Sequence, residues 1–355
     1  MKIGIDCRMI GHQFTGIGIY LENLIKNLTK MDTKNSYILF VNANNPISFK
    51  LPQNFITKEV NCPIYSLKEQ IILPILLYKE NCNLIHFPHF NAPILYLKKN
   101  IITIHDLTLH MFPGKKYSKI YHKLAYRISF YTNCLKAKKI ICVSQNTKKD
   151  LIETYPSLEK NSEVILLGSN FNLLKKQAKK EDYILYYGNW KSHKNLETLI
   201  KAFNILKKDY KRSEKLVITG NPSPENPKPI KAIKKSKFKK VINCVGHISP
   251  EKLLDTIQKA KLVVIPSLYE GFGLQIIESL SNKTNVIASN ISSLPEVGGK
   301  AALYFNPKDP QEIAYQANKV LSSDDLQLKL LNNYDPKKFS YIKMTKKTLK
   351  TYQEV

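Results

Sequence analysis

The chain of 355 residues is too long for one ordinary hydrophobic core and points to two domains, with 43% hydrophobic residues available to fill both. Lys and Arg outnumber Asp and Glu by 55 to 28, a formal charge of +27 that suits a densely anionic partner: nucleic acid, an anionic membrane face or a phosphorylated substrate. No signal core follows Met1, and the longest apolar run, residues 71–78, contains Pro74 and falls short of the about 20 residues a bilayer requires. Six scattered cysteines without a C-x-x-C pair indicate neither a zinc site nor a disulfide framework, so reduced cytosolic thiols are expected.

In chain order, residues 2–8 read as a first strand, and Gly11, Gly16 and Gly18 then punctuate a predicted loop. The following helix carries Leu21, Leu24, Ile25 and Leu28 on one face. Gly16-Ile17-Gly18 lacks the third glycine of a dinucleotide fingerprint, which leaves a tight turn or close backbone approach by a ligand as its two readings. Strands are predicted at 37–42, 84–87 and 101–104, with a helix at 70–78, and this alternation marks a parallel α/β sheet. Ligands gather at the carboxyl ends of such strands, where His86, His89 and the pair His105-Asp106 fall. No acid or Cys stands at metal spacing from these histidines. Residues 115–139 mix lysines with tyrosines and Phe130, as a membrane-surface helix or a core helix with solvated lysines would. Strands at 140–144 and 163–167, with Thr147 capping a helix, close this half.

Residues 170–181, polar and lysine-rich, read as a linker. A second series opens with a strand at 183–187 closed by Gly188, and the loop N-W-K-S-H-K (189–194) leads into a helix carrying Leu196, Leu199, Ile200 and Phe203. Its lysines either reach a diphosphate or belong to a solvated turn. Strands follow at 216–219 and 241–245, separated by a Pro- and Lys-rich insert (221–240), and a helix begins at Ser249-Pro250-Glu251. The most informative stretch is 263–278, V-V-I-P-S-L-Y-E-G-F-G-L-Q-I-I-E, which reads as strand, glycine loop and helix. Glu270 falls on the loop and Glu278 one turn into the helix. Between them the N–H groups of Phe272, Gly273 and Leu274 sit at a helix start carrying about +0.5 charge, a seat for a phosphate. Two carboxylates flanking an anion seat suit a sugar nucleotide, since a carboxylate accepts two hydrogen bonds from a cis-diol; ordinary turn chemistry is the competing reading. Strands at 285–288 and 303–305 and a basic helical tail (341–355) complete the chain.

Taken together, G-N-W-K-S-H-K-N-L, P-S-L-Y-E-G-F-G-L-Q-I-I-E-S and S-S-L-P-E-V-G-G-K-A-A-L-Y-F-N-P closely resemble the family-4 glycosyltransferases. The first half agrees through Gly16-Ile17-Gly18-Ile19-Tyr20, T-I-H-D-L around His105 and I-C-V-S at Ser144. The resemblance implies the α/β GT-B fold, two Rossmann-like domains with parallel sheets facing across a cleft. Residues 1–170 would bind the acceptor, 171–340 the nucleotide sugar, and 341–355 would be a helix packing back on the first domain. Residue by residue it implies that Glu278 binds the ribose, that Glu270 meets the transferred sugar, and that Phe272, Gly273 and Leu274 offer N–H groups to sugar and phosphate. Lys194 matches the diphosphate lysine and His105 the histidine near the sugar, while Gly16 and Gly18 would let the first domain close on the phosphates. Where many members carry Arg after the glycine matching Gly188, this chain has Asn189, and Lys191 is the candidate replacement.

The chemistry so implied is retaining glycosyl transfer, with Glu270 and His105 as the catalytic candidates. The leaving diphosphate would be stabilised by Lys194 and a helix start without a metal; no Asp-x-Asp motif is present. The stretch P-H-F-N-A-P before T-I-H-D-L is similar to the mannosyl- or rhamnosyltransferase-like branch, so GDP-mannose is the expected donor, with a UDP-sugar as the alternative. A glycan or lipid-linked acceptor of a surface polysaccharide or lipopolysaccharide is expected, with the protein in the cytoplasm on the anionic inner membrane face. A basic nucleic-acid-binding protein fits the charge but lacks a recognition motif, so no specific nucleic acid is expected.

Overall fold

The computed structural model describes residues 1–11, 15–114, 119–169 and 178–355, with the backbone alone for Thr15. The chain forms two compact units, Met1–Gly168 with Ser340–Val355, and Ser169–Phe339. Among the described residues no helix is long and apolar enough to cross a membrane.

The first unit holds β1 (Lys2–Asp6), α1 (Thr15–Met31), β2 (Ser36–Val41), β3 (Phe55–Glu59), α2 (Leu67–Glu80), β4 (Leu84–Phe87) and β5 (Asn100–Ile104). It continues with α3 (Thr108–Met111), α4 (Ile120–Lys136), β6 (Lys139–Cys142), α5 (Gln145–Thr154) and β7 (Ser162–Val164). The parallel sheet runs β3-β2-β1-β4-β5-β6-β7. Its central strands are buried on both faces, as helix-covered parallel strands must be. The edge strand β3 gives no comparable signal, because only Phe55 of F-I-T-K-E is buried, stacked on Tyr37 at 4.3 Å. At the end of β1 the buried Arg8 guanidinium bridges Asp6 at 2.7 Å and Glu69 of α2 at 2.6 Å, which ties sheet to helix.

One expectation is overturned here. Gly16 and Gly18 lie in the first turn of α1, not in a loop. Two glycines so close together weaken helix propensity, but a Cβ on Gly18 would overlap the carbonyl group of Gly11, so tertiary packing of the β1–α1 connection selects the small residue within the helix.

The second unit contains β8 (Glu181–Tyr186), α6 (Leu196–Asp209), β9 (Lys215–Thr219), α7 (Lys228–Lys235), β10 (Ile242–Gly246), α8 (Pro250–Lys259) and β11 (Ala260–Ile265). It ends with α9 (Leu274–Ser281), β12 (Asn285–Ser289), α10 (Leu294–Gly298), β13 (Leu303–Phe305), α11 (Pro310–Leu321) and α12 (Asp324–Asn332). The sheet order is β10-β9-β8-β11-β12-β13, all parallel. Leu199, Phe203 and Leu206 of α6 share a core with Ile313, Ala317 and Val320 of α11. The Pro- and Lys-rich insert contains α7, whose Ile230 and Ile233 pack against that core while its lysines mask the pattern in sequence. Most of the expected linker, residues 170–177, lies outside the described residues. Helix α13 (Tyr341–Glu354) belongs to the first unit, where it packs on α1 and the Tyr352 hydroxyl lies 2.6 Å from His86 Nδ1.

In each sheet the order reverses beside the first strand, between β1 and β4 and between β8 and β11. The carboxyl ends at such a reversal leave a crevice uncovered by crossover helices.

Candidate active site

In the second unit, the loops leaving β8 and β11 are stitched together. The Leu268 N–H donates to the His193 carbonyl at 2.7 Å, and buried Asn195 donates to the carbonyls of Pro266 and Pro307 at 3.0 and 2.7 Å. This frame brings Lys194 Nζ within 2.5 Å of Glu270 Oε1. The same carboxylate oxygen accepts from the Ser267 hydroxyl at 2.6 Å. The Glu270 backbone is held as firmly, its N–H donating to Ser292 Oγ at 3.0 Å and its carbonyl accepting from Ser293 Oγ at 2.9 Å. Burial alone would raise the Glu270 carboxyl, but Lys194 and the Ser267 hydroxyl hold it below the usual carboxylate range. The Glu270 carboxylate is therefore ionised at neutral pH.

Helix α9 begins four residues after Glu270, with Gly273 as its left-handed cap (φ 93°). A Cβ there would lie 2.7 Å from Leu294, so both conformation and space require glycine. Among the described residues the N–H groups of Phe272, Gly273 and Leu274 have no hydrogen-bond acceptor within the chain. Glu278 projects from this helix and accepts from the Tyr187 hydroxyl at 3.0 Å. The same hydroxyl lies 2.9 Å from the Gln275 carbonyl, which shares its proton, and the Gln275 side-chain amide donates to the Tyr187 carbonyl. Here burial prevails over the single tyrosine bond and draws the Glu278 carboxyl up to about 7. Two glutamates eight residues apart are thus shifted in opposite directions.

Gly188 (φ 131°), Asn189 and Lys191 occupy the same β8 loop as Lys194. The Asn189 side-chain carbonyl accepts the Lys191 N–H at 3.2 Å, closing a local turn, and the Lys191 side chain is exposed. His105, Gly16 and Gly18 belong to the first unit. His105 follows β5, donates from Nε2–H to the Pro88 carbonyl at 2.9 Å and meets Tyr20 edge-on at 5.0 Å. Burial lowers it to about 4 against the pull of Asp106, leaving a neutral imidazole whose Nδ1 is an acceptor. Sequence reasoning missed Tyr187, Ser267, Ser292 and Gln275, which orient the two glutamates. The one available signal was position, because Tyr187 and Ser267 lie within two residues of the ends of the strands that frame the site.

The second unit therefore offers a cation, three unmet N–H groups and two carboxylates on adjoining loops and helix α9, a set suited to a phosphate and to hydroxyl pairs. Residues 169–335 match the family model for glycosyl transferases group 1, and residues 14–170 that for glycosyltransferase family 4. The O-antigen chain mannosyltransferase B of Escherichia coli is 34% identical over 114 residues, which cover 32% of this chain and 30% of the relative. The chain thus spans less than a third of that relative. The O-antigen chain mannosyltransferase RfbU of Salmonella typhimurium is 26% identical over 265 residues, covering 74% of this chain and 72% of the relative. Among solved structures, a sucrose-phosphate synthase from Thermosynechococcus elongatus superposes with a TM-score of 0.78 at 18% identity, covering 100% of this chain and 98% of the other. Anabaena HepE in complex with UDP and glucose superposes at 0.75 with 15% identity, covering 100% and 99%. These likenesses give the fold, GT-B. With the two family models together spanning residues 14–335, the chain belongs to the group 1, family 4 glycosyltransferases.

Proposed function

We propose that the protein is a retaining hexosyltransferase that moves mannose from GDP-mannose to a glycan or lipid-linked acceptor in the synthesis of a surface polysaccharide or lipopolysaccharide, at the cytoplasmic face of the membrane. The observation that carries this reading is the Lys194–Glu270 ion pair beside the three unmet N–H groups opening α9. In it, the diphosphate takes its place against Lys194 and those N–H groups, with Lys191 as a further cation. These fixed positive groups stabilise the charge that develops as the nucleotide leaves, without a metal. Glu270 accepts hydrogen bonds from the hexose, and Glu278 accepts from the ribose hydroxyls in place of its bond to Tyr187. Neutral His105 is the second catalytic candidate, through the acceptor at its Nδ1.

Mannose as the hexose is supported by the curated relatives, both mannosyltransferases by name. A UDP-sugar donor is the second reading, favoured by the Anabaena structure with UDP and glucose. Calorimetric titration with a panel that includes GDP-mannose and UDP-glucose separates them. Glu278→Ala and Lys194→Ala should each weaken donor binding about 10- to 100-fold, the worth of one charge-assisted hydrogen bond. Unchanged binding in both variants would overturn the assignment.

A further inference from the structure

The proposal above leaves unused one face of the first unit. Helix α2 carries Leu67, Ile71 and Ile75 at i, i+4 and i+8, and α4 carries Ile120, Leu124 and Ile128 at the same spacing. All six are between 55% and 85% exposed, so each helix presents an apolar row of about 12 Å to solvent in addition to the face it buries. The segment joining β4 to β5 links the two helices. Its Ile94 N–H donates to Gln70 of α2 at 2.8 Å, and its Leu97 N–H to the Tyr78 hydroxyl at 2.9 Å. From the other side, Asn133 and Lys136 of α4 donate to the carbonyls of Ala92 and Ile94. Between these anchors Leu95 and Leu97 are 62% and 72% exposed.

Charge identifies the occupant. Residues 81–149 contain a single acid, Asp106, against twelve Lys and Arg. The acids of α2 itself are engaged, Glu69 with Arg8 and Glu80 with Lys58. Exposed Lys68, Lys79 and Lys99 and half-buried Lys98 and Lys123 fringe the apolar rows. Aliphatic side chains standing out from helices, with a cationic and nearly acid-free border, match the acyl–headgroup boundary of an anionic bilayer. We infer that α2, the 94–97 segment and α4 form a membrane-docking face that inserts its aliphatic rows beneath anionic headgroups. This deepens the proposed action on a lipid-linked acceptor, because it would hold the first unit at the surface where such an acceptor resides.

Flotation of the full chain with phosphatidylcholine vesicles, with and without phosphatidylglycerol at about one quarter of the lipid, tests it. Flotation should require the anionic lipid and persist in part at about 1 M salt, where the Debye length of about 3 Å leaves mainly apolar insertion. Ile71→Ser/Ile75→Ser and Ile120→Ser/Leu124→Ser, all at exposed positions, should each lower vesicle partition about tenfold. Absence of flotation, or serine variants that partition like the parent, would overturn the inference. So would serine variants that change the sedimentation of the protein without changing flotation, since the face would then join copies of the chain. Donor titration without vesicles reports separately on the proposed transfer: its failure beside intact flotation removes the donor assignment and leaves this face standing.

Discussion

Glu270 is buried with a cation and Glu278 is buried without one, and that difference sets how each contributes with pH. Glu278 sits at about 7 in the folded protein against 4.5 without its surroundings. A raised value means that its contribution to stability is complete below the unfolded value and is lost as pH rises through about 7. Glu278→Gln should therefore leave stability little changed near about pH 4 and increase it by about 1–3 kcal/mol near about pH 8, as urea titrations at the two pH values would reveal. Glu270 has the opposite sign, because Lys194 holds its carboxyl low and its stabilising contribution is lost only as pH falls through that depressed value. Sequence made these two acids legible because they bracket a glycine loop after an apolar run. It did not reveal their states, which are set by burial of Glu278 and, for Glu270, by Lys194, brought near by pairing of β8 with β11, and by Ser267 on the same loop.

At the scale of elements, β11 and α9 were legible because an uninterrupted apolar run and a helical apolar pattern meet at glycines. Strand β3 was not, since an edge strand with one buried side chain carries no periodicity, and α7 was hidden because its lysines outnumber its two packed isoleucines. The start of α1 failed for another reason: local propensity favours a loop at Gly16 and Gly18, and a contact with Gly11 overrides it. That contact gives a test. Gly18→Ala would improve helix propensity in isolation, yet it should destabilise the protein by about 1–3 kcal/mol because the obstructing atoms are backbone and cannot rotate away. A thermal melt of the variant measures the sign; an unchanged or raised melting temperature would show that the connection yields.

For the whole molecule, the informative feature is that the first unit is discontinuous, with the second inserted between Gly168 and Ser340. Helix α13 supplies the first unit with Tyr341, Met344 and Tyr352, all buried, and with the Thr351 bond to Glu163 at 2.7 Å. A chain ending at Phe339 should thus retain the second unit's unfolding transition and its donor binding, while the transition of the first unit moves to lower temperature or vanishes. Scanning calorimetry of the truncated chain distinguishes these outcomes from uniform loss. The arrangement also orders events on the ribosome. At roughly 5–20 residues per second, the residues after Gly168 take roughly 10–40 s to synthesise, and throughout that interval the nascent first unit lacks the helix that packs on α1. The contiguous second unit completes its core earlier, so the part of the chain made first is the last to finish folding, and its uncovered apolar surface makes it the natural client of a chaperone during translation.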